Sequence, residues 1–316
     1  MNTFGQIFNN SLWGFIVLDT TTILLAGLGG AFTQQANILN VALDGMMLIG
    51  AFAGIAVGAA TQSIAAAVVA AMVAGLLLSL LFGWASLWLG ADFIVAGIGI
   101  GLLTTGLSIF LLERLYNSEG SYTPQKFPNL PSIHLGPFVH IPIFGPAFEG
   151  QSILVVVAIL LVPACHWVLY HTRFGTHVRA VGEDEAAVVA AGLSPRRIKM
   201  GAVLISGVLC GLAGAELAMG TLDQFVSGMT AGRGFIALAA IFVGRATPFG
   251  TFIGSLVFGF ASAIANQLQQ VLSLPSNLLF MVPYVATVVV LLGRPLLGAY
   301  RLRRKAHQLP EAYEHA

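Results

Sequence analysis

Seven ionisable side chains lie within or at the edges of otherwise apolar runs: Asp19, Asp44, Asp92, Glu216, Asp223, Arg233 and Arg245. Solvation at the end of a run accounts for Asp92, Glu216, Asp223, Arg233 and Arg245. Asp19 and Asp44 lie deeper, where an ionisable group is costly and marks a functional site. Asn40 and Asp44 are four apart in Asn40-Val41-Ala42-Leu43-Asp44-Gly45-Met46-Met47, which on a helix puts an amide and a carboxylate on one face. Such a face lines a solute path or pairs with a neighbouring helix. Isolated carboxylates do not make a proton relay, and no chain of Asp, Glu and His runs between them. The phosphate loop G-x-x-x-x-G-K-[ST] is missing, so no nucleotide is bound here by that route. H-E-x-x-H and G-x-S-x-G are missing too, which argues against a protease or esterase of those types. Cys165 and Cys210 sit in apolar runs and read as small packing residues rather than a disulfide or metal site. His134 and His140, six apart with no carboxylate nearby, are not expected to hold a metal.

The long polar passage that also reads as ordered structure is 174–215. A short helix is expected over 183–191, with Glu183, Asp184 and Glu185 in its first turn, where negative charge suits the positive end of the dipole. Gly192 is its C′ stop. Ser194 is then an N-cap and Pro195 the first residue of the next helix, which opens with Arg196, Arg197 and Lys199. A loop with that much order, between two apolar runs, reads as a docking surface.

The elements that must position these groups are membrane helices. Of 316 residues, 57% are hydrophobic and 9% charged, and the mean hydropathy is +0.88. A soluble domain carries about 25% charged residues. Apolar runs cover 12–32, 39–59, 64–89, 93–112, 152–170, 200–219, 235–243, 249–268 and 278–292. The expectation is therefore an all-α, polytopic transmembrane bundle of about nine segments, within a range of eight to ten. It is expected to form a single transmembrane domain over 1–316. The run 235–243, bounded by Arg233 and Arg245, is too short to span alone and is either extended through its glycines or a broken, re-entrant helix.

Basic residues set the orientation. The loop 174–199, with Arg179, Arg196, Arg197 and Lys199, and the tail 294–316, with Arg294, Arg301, Arg303, Arg304 and Lys305, are both expected in the cytoplasm. The proline-rich loop 113–150 has only Arg114 and Lys126 as cations and is expected outside, as a partner surface or a plain connector. Counting spans backward puts the N-terminus outside. Because the first Lys or Arg is Arg114, no cleavable signal peptide is expected. A formal net charge of +1 implies no attraction to nucleic acid. Glycines four apart (Gly50, Gly54 and Gly58; Gly97 and Gly101; Gly207 and Gly211; Gly250 and Gly254) predict close helix packing inside one subunit.

Three ordered motifs then resemble one family. Arg179-Ala180-Val181-Gly182-Glu183-Asp184-Glu185-Ala186-Ala187, followed by Ala191-Gly192-Leu193, is similar to the coupling loop of bacterial ABC importer permeases that serve branched-chain amino acids, ribose-type sugars and nucleosides. The stretch from Asn40 to Met47 resembles that family's early N-x-x-x-[ED]-G-M-M motif. Gly232-Arg233-Gly234-Phe235-Ile236-Ala237-Leu238-Ala239-Ala240, with Gly244-Arg245 and Pro248-Phe249-Gly250, resembles its late motif in the simple-sugar and nucleoside branch. The chain departs from the family in carrying Asp44 where Glu is commoner, and in lacking an aromatic residue at Ala246 or Thr247. Both changes bear on the solute pocket.

The resemblance implies a transport subunit of the bacterial cytoplasmic membrane, not an enzyme. ATP and magnesium would be bound by a separate ATP-binding cassette subunit, with no cofactor or metal in this chain. Arg179, Gly182, Glu183, Asp184, Glu185, Ala186, Ala187 and Gly192 would couple to that ATPase, while Arg179, Arg196, Arg197 and Lys199 would face its acids or anionic lipid. A second, unlike permease subunit would complete the path, and an extracytoplasmic binding lipoprotein or periplasmic protein would deliver solute. Asn40, Asp44, Gly232, Arg233 and Phe235 are the expected path residues, since broken helices at mid-membrane are where transporters form sites. Nucleoside is the first expectation for cargo, simple sugar the second and a branched-chain amino acid the third. A secondary transporter coupled through Asp19 or Asp44, and a non-transporting scaffold, are the readings from other classes.

Overall fold

Serine, threonine and aspartate start most of the helices here, and left-handed residues stop them. In the computed structural model, which describes residues 10–271 apart from 119, 129, 134–147 and 221–222, the elements in order are α1 (Asn10–Gln35), α2 (Leu43–Thr61), α3 (Ile64–Leu87), α4 (Phe93–Tyr116), β1 (Ser121–Tyr122), α5 (Ile153–His171), α6 (Arg173–Glu183), α7 (Glu185–Ala190), α8 (Pro195–Met219), β2 (Phe225–Val226), α9 (Arg233–Val243) and α10 (Pro248–Val271). Ser63 caps α3 through Ala66 N–H, and Asp92 caps α4 through Ile94 and Val95 N–H. Gln62 and Asn117 end α2 and α4 in the left-handed region, at φ 52° and 49°.

Among the described residues seven helices are long and apolar enough to cross a membrane: α1 to α5, α8 and α10. The expected ninth run (278–292), the basic tail (294–316) and the pair His134 and His140 lie outside the described residues. The short run resolves in favour of a broken helix. α9 has 11 residues, about 16 Å at 1.5 Å per residue, against a hydrocarbon core of about 30 Å. The chain before it, 223–232, is irregular apart from β2 and takes left-handed values at Asp223, Gly228, Ala231 and Gly232.

α1 and α8 form the centre. Their apolar windows are 78% and 83% buried, whereas those of α3 and α4 are 22% buried and carry the exposed Leu77, Trp84, Leu102 and Phe110. α8 packs on α1, α2 and α3; α10 packs on α1; α9 lies against α1 and α10. Small residues make these approaches possible. A Cβ on Gly50 would stand 2.7 Å from Gly211 Cα, and one on Gly97 would stand 2.8 Å from Val41 Cβ, so both spaced sets pack within the subunit as expected. Gly101 differs: a Cβ on Gly45 would stand 3.2 Å from its Cα, but a Cβ of its own would meet open space.

Two expectations need correcting. The second span begins at Leu43, not residue 39, so Asn40 and Asp44 do not share a helical face. Asn40 lies in the non-helical link before it, where its Oδ1 accepts from Ala42 N–H at 3.1 Å and its Nδ2 donates to Ser206 Oγ at 3.0 Å. A local side-chain bond to the backbone competes with the helix and delays its start. The short polar helix also begins later than expected. Thr172 Oγ1 accepts from Gly175 N–H and opens α6 well upstream, so Glu183 closes that helix and does not open the next.

Candidate functional site

Of the sequence-predicted path residues, the structure brings Asp44, Gly232 and Arg233 together where α9 starts inside the bundle. Gly232 is the N-cap of α9, at φ 79°, and offers no side chain for the orphan N–H groups of the first turn. Asp44 supplies the acceptor from another helix. Its Oδ1 accepts from Gly234 N–H at 3.0 Å and its Oδ2 accepts from Thr230 Oγ1 at 2.9 Å. A carboxylate at a helix N-terminus also meets the positive end of the dipole, worth about 0.3–1 kcal/mol and up to about 2 when partly buried. Gly234 has to be glycine for this contact, because a Cβ there would stand 2.5 Å from Asp44 Cα.

Arg233, the next residue, turns the other way. Its Nη2 donates to Asp19 Oδ1 at 3.1 Å and its Nη1 donates to Met229 O at 3.2 Å. Asp19 is 4% exposed by side chain, and its second oxygen accepts from Asn266 Nδ2 at 2.9 Å. Arg233 is therefore held by a buried counter-ion and not by water at a span end, which corrects the simpler reading of the sequence. Phe235 is 46% exposed, in line with Phe242 and Phe249 on the outer face of α9 and α10. Asn40 is 1% exposed with both ends of its amide engaged, and it holds the link between α1 and α2 against α8. Thr230 and Asn266 were not singled out from sequence, and nothing local marks them. Spacing does not reveal partners 186 and 247 residues away.

The second cluster lies at the opposite end of α9. Asp184 breaks α6 from α7: it is extended, at φ −148°, and its Oδ1 accepts from Ala186 and Ala187 N–H at 2.9 and 3.2 Å. α7 then presents Glu185, Ala186, Ala187 and Val189 to the outside, with Val188 as its buried anchor. Gly192 stops it as expected, at φ 77°, with Gly192 N–H bonded to Val189 O and Leu193 N–H to Val188 O. Ser194 occupies the N-cap of α8, but its side chain makes no cap bond. Gly182 lets α6 lie directly on the last carbonyl of α1, that of Gln35. Lys199 is not free to meet a partner's acid: its Nζ binds Glu185 Oε2 at 2.8 Å. Arg179 is partly engaged as well, through Nε to Leu169 O at 3.1 Å and over the Tyr170 ring at 4.9 Å. Arg196 and Arg197 are exposed.

Glu183, Gly182, Arg179, Gln35 and Arg245 line one cavity of about 330 Å³, between the end of α1, α6 and the end of α9. α9 thus runs from the Asp44 corner at its start to the α6–α7 element at its end.

Comparison with known proteins gives this geometry a family. Residues 13–292 match the family described as branched-chain amino acid transport system / permease component. The chain is 32% identical over 303 residues to the nucleoside ABC transporter permease protein NupC of Lactococcus lactis subsp. cremoris, covering 92% of each chain. It is 32% identical over 284 residues to the guanosine ABC transporter permease protein NupQ of Bacillus subtilis, covering 86% of this chain and 88% of the other. It is also 25% identical over 276 residues to a glucose ABC transporter permease protein of Haloferax volcanii, covering 83% and 71%. The chain belongs to that permease family, and it is a multi-pass, non-catalytic membrane subunit of an ABC importer.

Proposed function

We propose that this permease imports a nucleoside, and that its path passes the corner where α9 begins. The observation that carries the reading is an exposed ring, Phe235, placed next to the chain's hydrogen-bonding corner at Asp44 and Thr230. A nucleoside needs both: a flat surface for the base, and donors and acceptors for ribose hydroxyls. The names of two relatives, nucleoside and guanosine permeases at 32% identity, support the same cargo. A simple sugar is the second reading, supported by the glucose permease relative. Gly232, Arg233 and Asp44 shape the corner, and Asn40 acts from behind it by fixing the α1–α2 link.

In the assembled importer, α7 sits in a groove of a cytoplasmic ATPase subunit that binds ATP and magnesium. A second permease subunit, unlike this one, faces Phe235 across the path, and an extracytoplasmic binding protein delivers the solute. Residues 179–192 form the lever, with Asp184 fixing the angle between α6 and α7.

The test is uptake of labelled uridine or adenosine into vesicles that contain the ATPase, both permeases and the binding protein. ATP-dependent uptake is expected. Phe235→Ala should lower apparent affinity about tenfold, since base–aromatic stacking is worth about 1–3 kcal/mol, and Phe235→Trp should keep it. Uptake of ribose but not nucleosides would reassign the cargo. Uptake by this chain alone, collapsed by an ionophore and indifferent to ATP, would overturn the reading.

A further inference from the structure

At the far end of the bundle from α7, residues 120–127 form a strap laid across three elements. Its middle pairs with β2: Ser121 is opposite Val226 and Tyr122 opposite Phe225, antiparallel. Ser227 N–H donates to Gly120 O at 2.7 Å, and Thr123 Oγ1 donates to Gln224 Oε1 at 2.9 Å. One flank stacks the Tyr122 ring on Tyr116 at the end of α4, with centroids 3.6 Å apart. The other flank lies on α2, where Gln62 Nε2 donates to Lys126 O at 3.0 Å and Phe127 fills the space above Gly58. From β2, four residues lead to Thr230 and its bond to Asp44, through Gly228 at φ 69°. Ala231 and Gly232 follow, also left-handed.

We infer that this strap is the device by which a partner on the external face acts on the Asp44 corner. The partner is the extracytoplasmic solute-binding protein, so the inference rests on the proposed function. Its seat is the cavity of about 480 Å³ lined by Gln62, Tyr122, Thr123, Gln125 and Lys126. That volume admits several side chains of a protein loop. Among the described residues Lys126 is the one charged group in its lining, beside two amides, a hydroxyl, a phenol, Ala59 and Pro124, so the surface fits a loop that presents a carboxylate and hydrogen-bonding groups. Pressure on the strap moves β2 with it, because the two are paired by backbone. β2 is anchored to α2 by Phe225 packed edge-on to Phe52, at 5.3 Å between centroids. The change is taken up where the backbone between β2 and α9 is left-handed, at 228 and 231–232. The outcome is a shifted Thr230, and with it a shifted cap on α9. Contiguous contacts alone do not demonstrate coupling; a perturbation that breaks the pairing and spares the seat does.

The experiment uses the assembled importer in nanodiscs, with ATP hydrolysis measured with and without the solute-loaded binding protein. Ser227→Pro removes the donor to Gly120 O and leaves the strap's outer surface untouched. Thr123→Cys/Gln224→Cys is the opposite perturbation. The two residues continue the β1–β2 register at the closely spaced kind of antiparallel pair, about 4.5 Å between Cα atoms, within disulfide reach. Ser227→Pro is expected to cut stimulation by the binding protein at least about fivefold, the lower range of allosteric coupling. Basal hydrolysis and affinity for the binding protein should stay within about twofold of the native values, on the same scale. The oxidised cysteine pair, checked for folding by size exclusion, is expected to keep the stimulation that the same variant shows when reduced, a comparison that holds the changed Thr123 side of the seat constant. Stimulation that survives Ser227→Pro overturns the strap, as does stimulation lost on oxidation of the pair and regained with reductant. A native importer that ignores the binding protein refutes the transport reading itself.

Discussion

Removing the carboxylate of Asp19 should cost far more than a surface charge would, because Arg233 cannot leave. The pair is held at 3.1 Å with side-chain exposures of 4% and 21%. Arg233 keeps its bond to Met229 O, but in Asp19→Asn it loses its counter-ion in a low-dielectric site. Breaking a buried pair by removing one partner costs about 3–5 kcal/mol, and the part-exposure of Arg233 puts this case near about 3 kcal/mol by the same rule. The asparagine must also serve two donors, Arg233 Nη2 and Asn266 Nδ2, with one carbonyl. For a chain of 316 residues, about 3 kcal/mol corresponds to a fall in Tm of about 4–5 °C. The assay is thermal unfolding in detergent, all variants at one scan rate. Arg233→Met alone leaves Asp19 with only the Asn266 amide and should fall by a similar amount. Asp19→Asn/Arg233→Met removes both charges and leaves two amides able to pair, so it should recover most of the loss. If the double variant melts as low as the sum of the two single losses, the groups are not coupled. The buried ion pair would then be wrong as an account of this corner.

Two further predictions concern the other end of α9. Gly182→Ala sets a methyl group on the Gln35 carbonyl oxygen, so α6 must lift from α1. Overpacking of this kind costs about 1–3 kcal/mol, and both a lower Tm and weaker ATP-dependent uptake are expected; unchanged uptake would detach α6 from the coupling role. Asp184→Ala removes the acceptor for Ala186 and Ala187 N–H. Losing such a cap costs about 1 kcal/mol, which is about fivefold in retention of the ATPase subunit on co-purification. Asp184→Asn, which keeps an acceptor, should restore it, and equal loss in both variants would argue against capping as the cause.

The parts that could be read from sequence are those whose cause is local. Apolar runs set α1 to α5, α8 and α10 to within a few residues, since length and hydropathy decide a membrane helix. Gly192 marked the end of α7 because a left-handed C′ position favours glycine. The start of that helix was misplaced because Thr172, a cap ten residues upstream of Gly182, had already opened α6. β1 and β2 are two residues each, too short for any alternation to show. The ion pair was missed as a pair because its partners are 214 residues apart.

The late motif can nonetheless be explained letter by letter once its surroundings are known. A helix that starts inside the membrane leaves N–H groups with no water to meet them. Gly232 is glycine because the cap position is left-handed, at φ 79°, which a side chain resists. That choice forfeits a capping side chain, so the acceptor must come from elsewhere, and Asp44 on α2 provides it. Gly234 is glycine because Asp44 must come close enough to bond its N–H. Arg233 stands between them and points away from Asp44, where Asp19 and Met229 O receive it. One carboxylate binds the start of α9 to α2 and another binds it to α1. The start of α9 is thus tied to both α1 and α2, while its far end, at Arg245, lies beside α6. Gly-Arg-Gly at this place is the minimum sequence that lets a half-helix be capped by one neighbour and charge-paired to another.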